Sequence, residues 1–247
     1  MNKVMIITGG SRGIGAACVK LAVQAGFDVC FSYVSNKGAA VKVVSEAEAA
    51  GGIAKAIQAD VGSEEDILRL FGEADKMGSL KSLINNAGVV DKTERVENYT
   101  VERLLRMYSV NVIGSILCAR EAVKRMSTKH GGTGGSIVNL SSAAAYLGSA
   151  NQYVDYAASK AAIDTFTKGL SLEVADEGIR VNAVRPGLID TDIHESGGEL
   201  DRVKRLEHMV PMKRGGSAEE VAKGILWLTS DDASYVTGDC MNVTGGR

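Results

Sequence analysis

The sequence predicts an α/β fold with a doubly wound, mostly parallel sheet of about seven strands in one domain. Short apolar runs rich in β-branched residues alternate with longer segments of helical period along the whole chain. Right-handed crossovers between parallel strands then place helices on both faces of the sheet. A length of 247 residues suits one large domain, and no linker, repeat or charge block divides the chain.

Seven short segments predict the strands. The first, at residues 3–8, is apolar and β-branched, and it stops at two glycines. The remaining predicted strands cover 28–34, 53–61, 82–85, 134–142, 179–187 and 240–246. Polar or glycine-rich residues follow most of these strands, and ligands of such sheets bind outside the carboxyl ends of the strands.

Segments of helical period predict the helices between the strands. The first carries apolar residues on one face and ends at Gly26. Ser63, with Asp66 three residues later, approximates a capping box, and Ser217 with an acidic first turn begins the last helix. The predicted helices cover 14–24, 39–51, 63–78, 101–128 as two helices, 153–178, 199–208 and 217–230.

Composition excludes several classes of protein. Hydrophobic residues at 45% and charged residues at 23% are ordinary for a globular chain. A net charge of -2 predicts no attraction to nucleic acid or to anionic membranes. No apolar run approaches the ~20 residues of a membrane span, and the first residues lack the stages of a secretory signal. We therefore expect a soluble, cytoplasmic protein.

Four scattered cysteines give no spacing typical of a zinc site, so we expect buried free thiols and no metal. They are Cys18, Cys30, Cys118 and Cys240.

The segment TGGSRGIG at residues 8–15 predicts a dinucleotide-binding loop between the first strand and the first helix. Gly9 permits the tight turn, Gly13 lets the backbone approach a pyrophosphate, and Gly15 lets the helix lie close to the sheet. The N–H groups and the positive dipole end of the helix then bind the phosphates.

The end of the second strand favours NADP(H) over NAD(H). NAD-binding folds place an acid there to bind the ribose 2′-hydroxyl, whereas this chain has SYVSNK at 32–37. Arg12 and Lys37 could bind a 2′-phosphate, or they are solvated surface cations. Asp60 could accept from the adenine amino group, cap the helix beginning near Ser63, or do both.

A second set of residues suggests proton transfer. Tyr156 and Lys160 lie four residues apart on one helix face, and a nearby cation favours the ionised phenol. Ser142 is at the end of the predicted fifth strand, where it could donate to a substrate oxygen as negative charge develops. Ser141 is its rival, but we expect it to belong to the buried strand. Of the competing tyrosines, we expect Tyr153 to pack against substrate; Tyr146 is the other.

Together these motifs resemble the short-chain dehydrogenase/reductase family, which has a single-domain Rossmann fold. The resemblance covers nearly the whole chain, from Lys3 to Arg247, and within the family the chain is similar to 3-oxoacyl-carrier-protein reductases and to glucose and other sugar dehydrogenases. It rests on the motifs TGGSRGIG (8–15), ADV (59–61), NNAG (85–88), the helix with Asn111, NLSS (139–142), YAASK (156–160), RVNAVRPG (180–187) and VTG (236–238).

The resemblance implies hydride transfer between a nicotinamide cofactor and a small carbonyl or secondary alcohol. Its catalytic residues would be Asn111, Ser142, Tyr156 and Lys160. Tyr156 would transfer the proton, Lys160 would lower the pKa of Tyr156 and bind the ribose, and Asn111 would hold a relay water. The alternative is a non-catalytic dinucleotide-binding sensor or scaffold on the same fold.

The expected cofactor contacts combine the glycine loop with residues implied by the resemblance. They are Gly9, Ser11, Arg12, Gly13, Ile14, Gly15, Tyr33, Asp60, Val61, Asn86, Ala87, Gly88, Tyr156, Lys160, Pro186, Gly187, Ile189 and Thr191. The resemblance further implies a homotetramer or homodimer, with the last strand and helix at an interface.

Substrate choice is expected to lie in two variable segments. Residues 143–155 form a longer interval than in many 3-oxoacyl-carrier-protein reductases. A lid at about 190–216 would cover the substrate. Its polar residues suit a hydroxylated molecule such as a sugar, and equally a surface helix; they are His194, Glu195, Asp201 and Arg202.

Overall fold

The computed structural model describes residues 2–191 and 201–247 and confirms the predicted fold class. Seven parallel strands form one sheet in the order β3-β2-β1-β4-β5-β6-β9. Their ranges are β1 Lys3–Ile7, β2 Asp28–Tyr33, β3 Ala54–Gln58, β4 Ser79–Asn85, β5 Gly135–Leu140, β6 Ile179–Pro186 and β9 Cys240–Val243. A small unpredicted sheet pairs β7 (Ile189–Asp190) with β8 (Gly216–Ser217).

Helices cover both faces of the main sheet. They are α1 Gly13–Gln24, α2 Lys37–Ala49, α3 Glu64–Asp75, α4 Val101–Tyr108, α5 Ser115–Met126, α6 Ala144–Leu147, α7 Val154–Val174, α8 Arg202–Leu206 and α9 Ala218–Thr229. A π-helical turn at Ser109–Gly114 joins α4 to α5, and the short α6 was not predicted. Part of the predicted helix at 199–208 lies outside the described residues.

Two apolar layers sandwich the sheet, and β1 belongs to both. Met5 and Ile7 face the layer that includes α1 and α9, whereas Val4 and Ile6 face the layer that includes α3 and α5. All four side chains are fully buried. A strand covered on both faces is a continuous apolar run, which is why the sequence pattern identified it.

The strand order places the site. From β1 the chain continues to β2 on one side, while β4 lies on the other side, so the winding reverses between β1 and β4. In open α/β sheets, ligands bind at this reversal, outside the carboxyl ends of the strands.

The ends of the strands differ slightly from prediction. β4 begins at Ser79 rather than residue 82, because Ser79 and Leu80 already pair with Lys3 and Val4 before the register shifts. β5 stops at Leu140, so Ser142 lies in the loop beyond it, and so does Ser141, whose expected place on the strand is wrong.

None of the helices in the described part of the chain is long and apolar enough to cross a membrane. All four cysteines are free thiols, and three of them are buried as predicted. Cys240 is only partly buried, on the edge strand β9. Burial raises the pKa of the Cys30 thiol to about 12, so it does not ionise at neutral pH.

Candidate active site

A cavity of about 840 Å³ lies at the carboxyl ends of the strands. Every predicted site residue lines this cavity except Gly15 and Asn111. We call the part of the cavity at the glycine loop its nucleotide end, and the part at Ser142, Tyr156 and Lys160 its reacting end. The structure therefore brings the two sets of predicted residues to one continuous space.

The glycine loop has the backbone that its glycines permit. Gly9 and Gly13 have φ angles of 66° and 53°, in the left-handed region that side chains disfavour. Gly15 does not line the cavity because it faces inward: a Cβ there would lie 2.2 Å from the Gly9 carbonyl oxygen. This glycine is therefore needed for close packing, as the sequence predicted.

Three buried or half-buried polar side chains hold the loop in place. The Thr8 hydroxyl accepts from the backbone N–H groups of Asn86 (3.0 Å) and Ala87 (2.9 Å). Asn86 Nδ2 donates to the carbonyls of Thr8 and Gly9, each at 2.9 Å. The Ser32 hydroxyl accepts from the Gly9 N–H at 3.0 Å. The sequence did not predict that Thr8 and Ser32 hold the loop, because their hydrogen-bond partners are far away along the chain.

The first turn of α1 is built to bind an anion. Four of the other helices begin at a residue whose side chain accepts from the first turn. These capping residues are Asn36, Ser63, Thr100 and Ser217. At α1 the N-cap residue is Arg12, whose cationic side chain makes no such bond. The N–H groups at this helix end therefore suit the pyrophosphate of a dinucleotide.

No acidic side chain lies at the tip of β2 among the residues lining the cavity there, which are Ser32, Tyr33, Val34, Ser35 and Asn36. Arg12 lines the cavity and is exposed, whereas Lys37 does not line it. Of the two cations named from the sequence, only Arg12 is therefore placed to contact a ligand.

Asp60 lines the cavity, and its carboxylate accepts from the Gly62 N–H at 2.8 Å. The suggested cap role for Asp60 is wrong, because Ser63 accepts from the first turn of α3. The Asp66 carboxylate accepts from the N–H of Asp60 at 2.8 Å. Asp60 is therefore held by the start of this helix rather than capping it.

At the other end of the cavity, Tyr156 and Lys160 project from the first two turns of α7. Burial raises the pKa of the Tyr156 phenol, and its hydrogen bond with Ser142 lowers that pKa in part. Lys160 Nζ donates to the Leu140 carbonyl at 2.6 Å and lies 5.7 Å from the centroid of the Tyr156 ring. Burial lowers the pKa of Lys160 to about 8. The expected lowering of the Tyr156 pKa by Lys160 stays a prediction; in this structure burial is the larger cause acting on that pKa, and Ser142 is the opposing one.

The two neighbouring serines differ in their environment. Ser141 is buried, and its hydroxyl donates to the Lys160 carbonyl at 3.2 Å. The Ser142 hydroxyl accepts from the Ala144 N–H at 3.1 Å, and its interaction with the Tyr156 phenol lowers the pKa of that phenol. Both serines line the cavity, and of the two only Ser142 affects the pKa of Tyr156.

Asn111 lies behind the cavity wall rather than on it. Its side chain is fully buried and clamps the backbone of Val89, accepting from the N–H at 2.8 Å and donating to the carbonyl at 2.9 Å. It also donates to the Ser159 hydroxyl at 3.2 Å. The expectation that Asn111 holds a relay water stays a prediction; its side-chain amide, in the π-helical turn, already bonds to protein atoms at both ends.

The wall beyond Tyr156 includes polar residues that the sequence only partly identified. Tyr153 is buried in the cavity wall, as expected. Arg202 donates to the Tyr153 hydroxyl at 3.2 Å and to Gln152 Oε1 at 2.6 Å. Tyr146 does not line the cavity, and its hydroxyl donates to the Arg247 carbonyl.

His194 and Glu195 lie outside the described residues, and Asp201 is exposed. In the part of the chain that the structure describes, no group of three His, Cys, Asp or Glu side chains could hold a metal ion.

Known proteins resemble this chain over its full length. A family model described as Enoyl-(Acyl carrier protein) reductase matches residues 9–247. The uncharacterized oxidoreductase YgfF of Escherichia coli is 53% identical over 245 residues, which is 99% of each chain. The glucose and ribitol dehydrogenase homolog of Oryza sativa is 36% identical over 258 residues, covering 99% of this chain and 85% of that protein.

Solved structures agree with these sequence comparisons. The crystal structure of a blue fluorescent protein from a metagenomic library, in complex with NADPH, is 33% identical. It superposes with a TM-score of 0.90, covering 99% of this chain and 97% of that one. With the glycine loop and the Tyr156 group on one cavity, the chain is an oxidoreductase that belongs to the short-chain dehydrogenase/reductase family.

Proposed function

We propose that this protein transfers a hydride between NADP(H) and a small carbonyl or secondary alcohol substrate. One observation carries the proposal: Ser142, Tyr156 and Lys160 line one end of the cavity whose other end is the glycine loop. Bound across that cavity, a nicotinamide cofactor supplies or accepts the hydride. A sensor or scaffold without catalysis is not favoured, because it would have no use for a buried phenol and ammonium.

Each residue at the reacting end has a distinct role in this proposal. The Tyr156 phenol gives its proton to the substrate oxygen during reduction and takes it back during oxidation. The Ser142 hydroxyl donates to the same oxygen as negative charge develops there. Lys160 binds the cofactor ribose and keeps a positive charge beside the phenol. Asn111 is a positioning residue, since it fixes Val89 at the cavity wall.

Arg12 and the uncharged tip of β2 support NADP(H) over NAD(H). A guanidinium at the edge of the cavity suits a phosphate, and no carboxylate at that tip repels one. The similar protein crystallised with NADPH supports the same cofactor class.

Polar residues in the cavity wall support a small, oxygen-bearing substrate, and we propose no nucleic acid partner. We also propose a cytoplasmic homotetramer or homodimer. β9 is an edge strand, and Trp227 on the adjacent α9 is 40% exposed, which supports an interface there. Sedimentation velocity would contradict this proposal if it found only monomers.

The decisive experiment replaces Tyr156 with Phe. We expect kcat to fall about 1,000-fold, because the variant lacks the proton donor, while the Kd for NADPH stays within about twofold. The matched control is Tyr146→Phe, because that hydroxyl bonds to Arg247 and does not line the cavity. Activity is measured on sugars, short β-ketoesters, diketones and quinones with both cofactors. Equal turnover by wild type and Tyr156→Phe would refute the mechanism.

A further inference from the structure

Helix α7 begins without a side-chain cap of its own, although Tyr156 lies in its first turn. The N-cap residue is Tyr153, whose side chain makes no capping hydrogen bond. The first N–H groups of a helix have no partner within the helix, so an uncapped first turn frays. Tyr156 is the third residue of α7, so its position depends on what holds this turn.

Two side chains satisfy the first turn instead. The Tyr99 hydroxyl accepts from the Val154 N–H at 3.1 Å. The Asp155 carboxylate accepts from the Tyr156 N–H at 2.9 Å. Tyr99 lies outside α7, so the start of this helix is held partly from a distant segment of the chain.

Arg103 on α4 holds both of these side chains. Its guanidinium donates to the two Asp155 carboxylate oxygens at 2.7 and 3.1 Å, and it lies 4.1 Å from the centroid of the Tyr99 ring. Its remaining terminal nitrogen donates to the Lys92 carbonyl at 2.8 Å, in the loop after β4. A planar fork of donors is required for these simultaneous contacts, and a lysine ammonium cannot make them.

The pair is buried beside the cavity. The side chains of Arg103 and Asp155 are 10% and 1% exposed. Burying two charges costs about as much as their attraction returns, so such a pair is a poor source of stability. It does, however, fix geometry, because both partners need one orientation to stay satisfied.

We propose that Arg103, Asp155 and Tyr99 form a positioning cluster that holds the Tyr156 phenol in register with Ser142 and the substrate oxygen. This inference rests on the proposed function. Lys160 lies one turn further into α7 and is held separately by the Leu140 carbonyl. The cluster therefore acts on the proton donor and leaves the lysine that binds the cofactor in place.

The test compares Arg103→Gln and Arg103→Lys with a matched control at Arg125. Arg125 also makes a two-bond pair with an aspartate, Asp75, and lies over an aromatic ring, Phe71 at 5.0 Å. That pair joins α5 to α3, away from the cavity.

We expect both Arg103 variants to lose about 100-fold in kcat, because a displacement of the Tyr156 phenol by about 1 Å lowers the rate by about that factor. The Kd for NADPH should stay unchanged. Arg125→Gln keeps the wild-type kcat. The double variant Arg103→Gln with Asp155→Asn recovers at least tenfold over Arg103→Gln, since no unpaired charge then remains buried.

Hydrogen exchange gives a second measurement that needs no substrate. We expect the amides of residues 154–157 to exchange faster in Arg103→Gln than in wild type or Arg125→Gln, while residues 160–174 keep their protection. Unchanged kcat and exchange in Arg103→Gln would overturn the inference, as would an equal loss of NADPH affinity. Failure of the proposed function looks different, because wild type itself would then turn over no substrate.

Discussion

The two ends of the cavity are built in different ways. At the nucleotide end, the backbone of the glycine loop lines the cavity, and the side chains of Thr8, Ser32 and Asn86 hold that backbone in place. At the reacting end, the functional groups are side chains, and two of them come from the start of one helix. Cofactor affinity at the nucleotide end should therefore depend on how closely the loop packs. The reaction rate at the other end should instead depend on single functional groups.

The largest effect expected on cofactor binding tests whether close packing at Gly15 is needed at the nucleotide end. In Gly15→Ala the new Cβ would lie 2.2 Å from the Gly9 carbonyl and 2.6 Å from Asn86 Nδ2, so the loop must move. We expect at least about 100-fold weaker binding of NADPH, measured by fluorescence titration.

The matched control is Gly72→Ala on α3, where nothing lies within 4 Å of the added atom. We expect this variant to bind NADPH normally and to be more stable by about 0.5–1 kcal/mol. If Gly15→Ala bound NADPH as tightly as wild type, close packing at this end would not matter.

At the reacting end, the adjacent serines separate chemistry from packing. Ser142→Ala removes the serine hydroxyl that lowers the pKa of the Tyr156 phenol, and we expect kcat to fall about 100-fold with little change in melting temperature. Ser141→Ala removes a buried hydroxyl that donates to the Lys160 carbonyl, and we expect about 1 kcal/mol of lost stability with kcat retained. The reverse pattern of kcat values would assign the reaction to Ser141.

Sequence reasoning identified the fold and most of the nucleotide end because both depend on local pattern. A strand buried on both faces, such as β1, is a continuous apolar run, and a glycine with positive φ such as Gly13 has few substitutes. The two-residue strands β7 and β8 were missed because so few residues carry no period.

Contacts between distant segments were not predictable from the chain. Asn111 was expected at the reacting centre, and its side-chain amide forms hydrogen bonds with the backbone of Val89 behind the cavity wall. Arg103 and Asp155 are 52 residues apart and look like ordinary surface charges in the sequence. Only the packing of α4 against the start of α7 buries them together.

A third prediction concerns the buried ammonium of Lys160; Arg12, the cation at the nucleotide end, is exposed. Burial lowers the pKa of Lys160 from 10.5 to about 8, so the folded chain pays for a buried ammonium at neutral pH. The shift corresponds to about 3 kcal/mol, and the hydrogen bond to Leu140 returns about 1 kcal/mol. We therefore expect Lys160→Met to be inactive but more stable than wild type by about 2 kcal/mol at pH 7.

The pH dependence of this gain has a definite sign. Below pH 8 both folded and unfolded chains carry the proton, so the gain is constant. Between about pH 8 and 10.5 the unfolded chain binds more protons, so the stability of wild type rises and the gain shrinks. Urea unfolding at pH 7 and pH 9.5 measures the stability gain of Lys160→Met over wild type. The control is Lys168→Met, which removes an exposed lysine from the same helix. A gain independent of pH would contradict the buried charge.

The smallest effect tests the charged side chain of Arg12 at the nucleotide end. Arg12 is exposed at the cavity edge, so its attraction to a 2′-phosphate is partly screened by water and salt. We expect Arg12→Ala to raise the Kd for NADPH about tenfold and to leave the Kd for NADH unchanged. Lys37→Ala should change neither, because Lys37 does not line the cavity. If NADH bound wild type as tightly as NADPH, the missing acid at the tip of β2 would carry no information about the cofactor, and this end of the cavity would recognise its ligand through backbone alone.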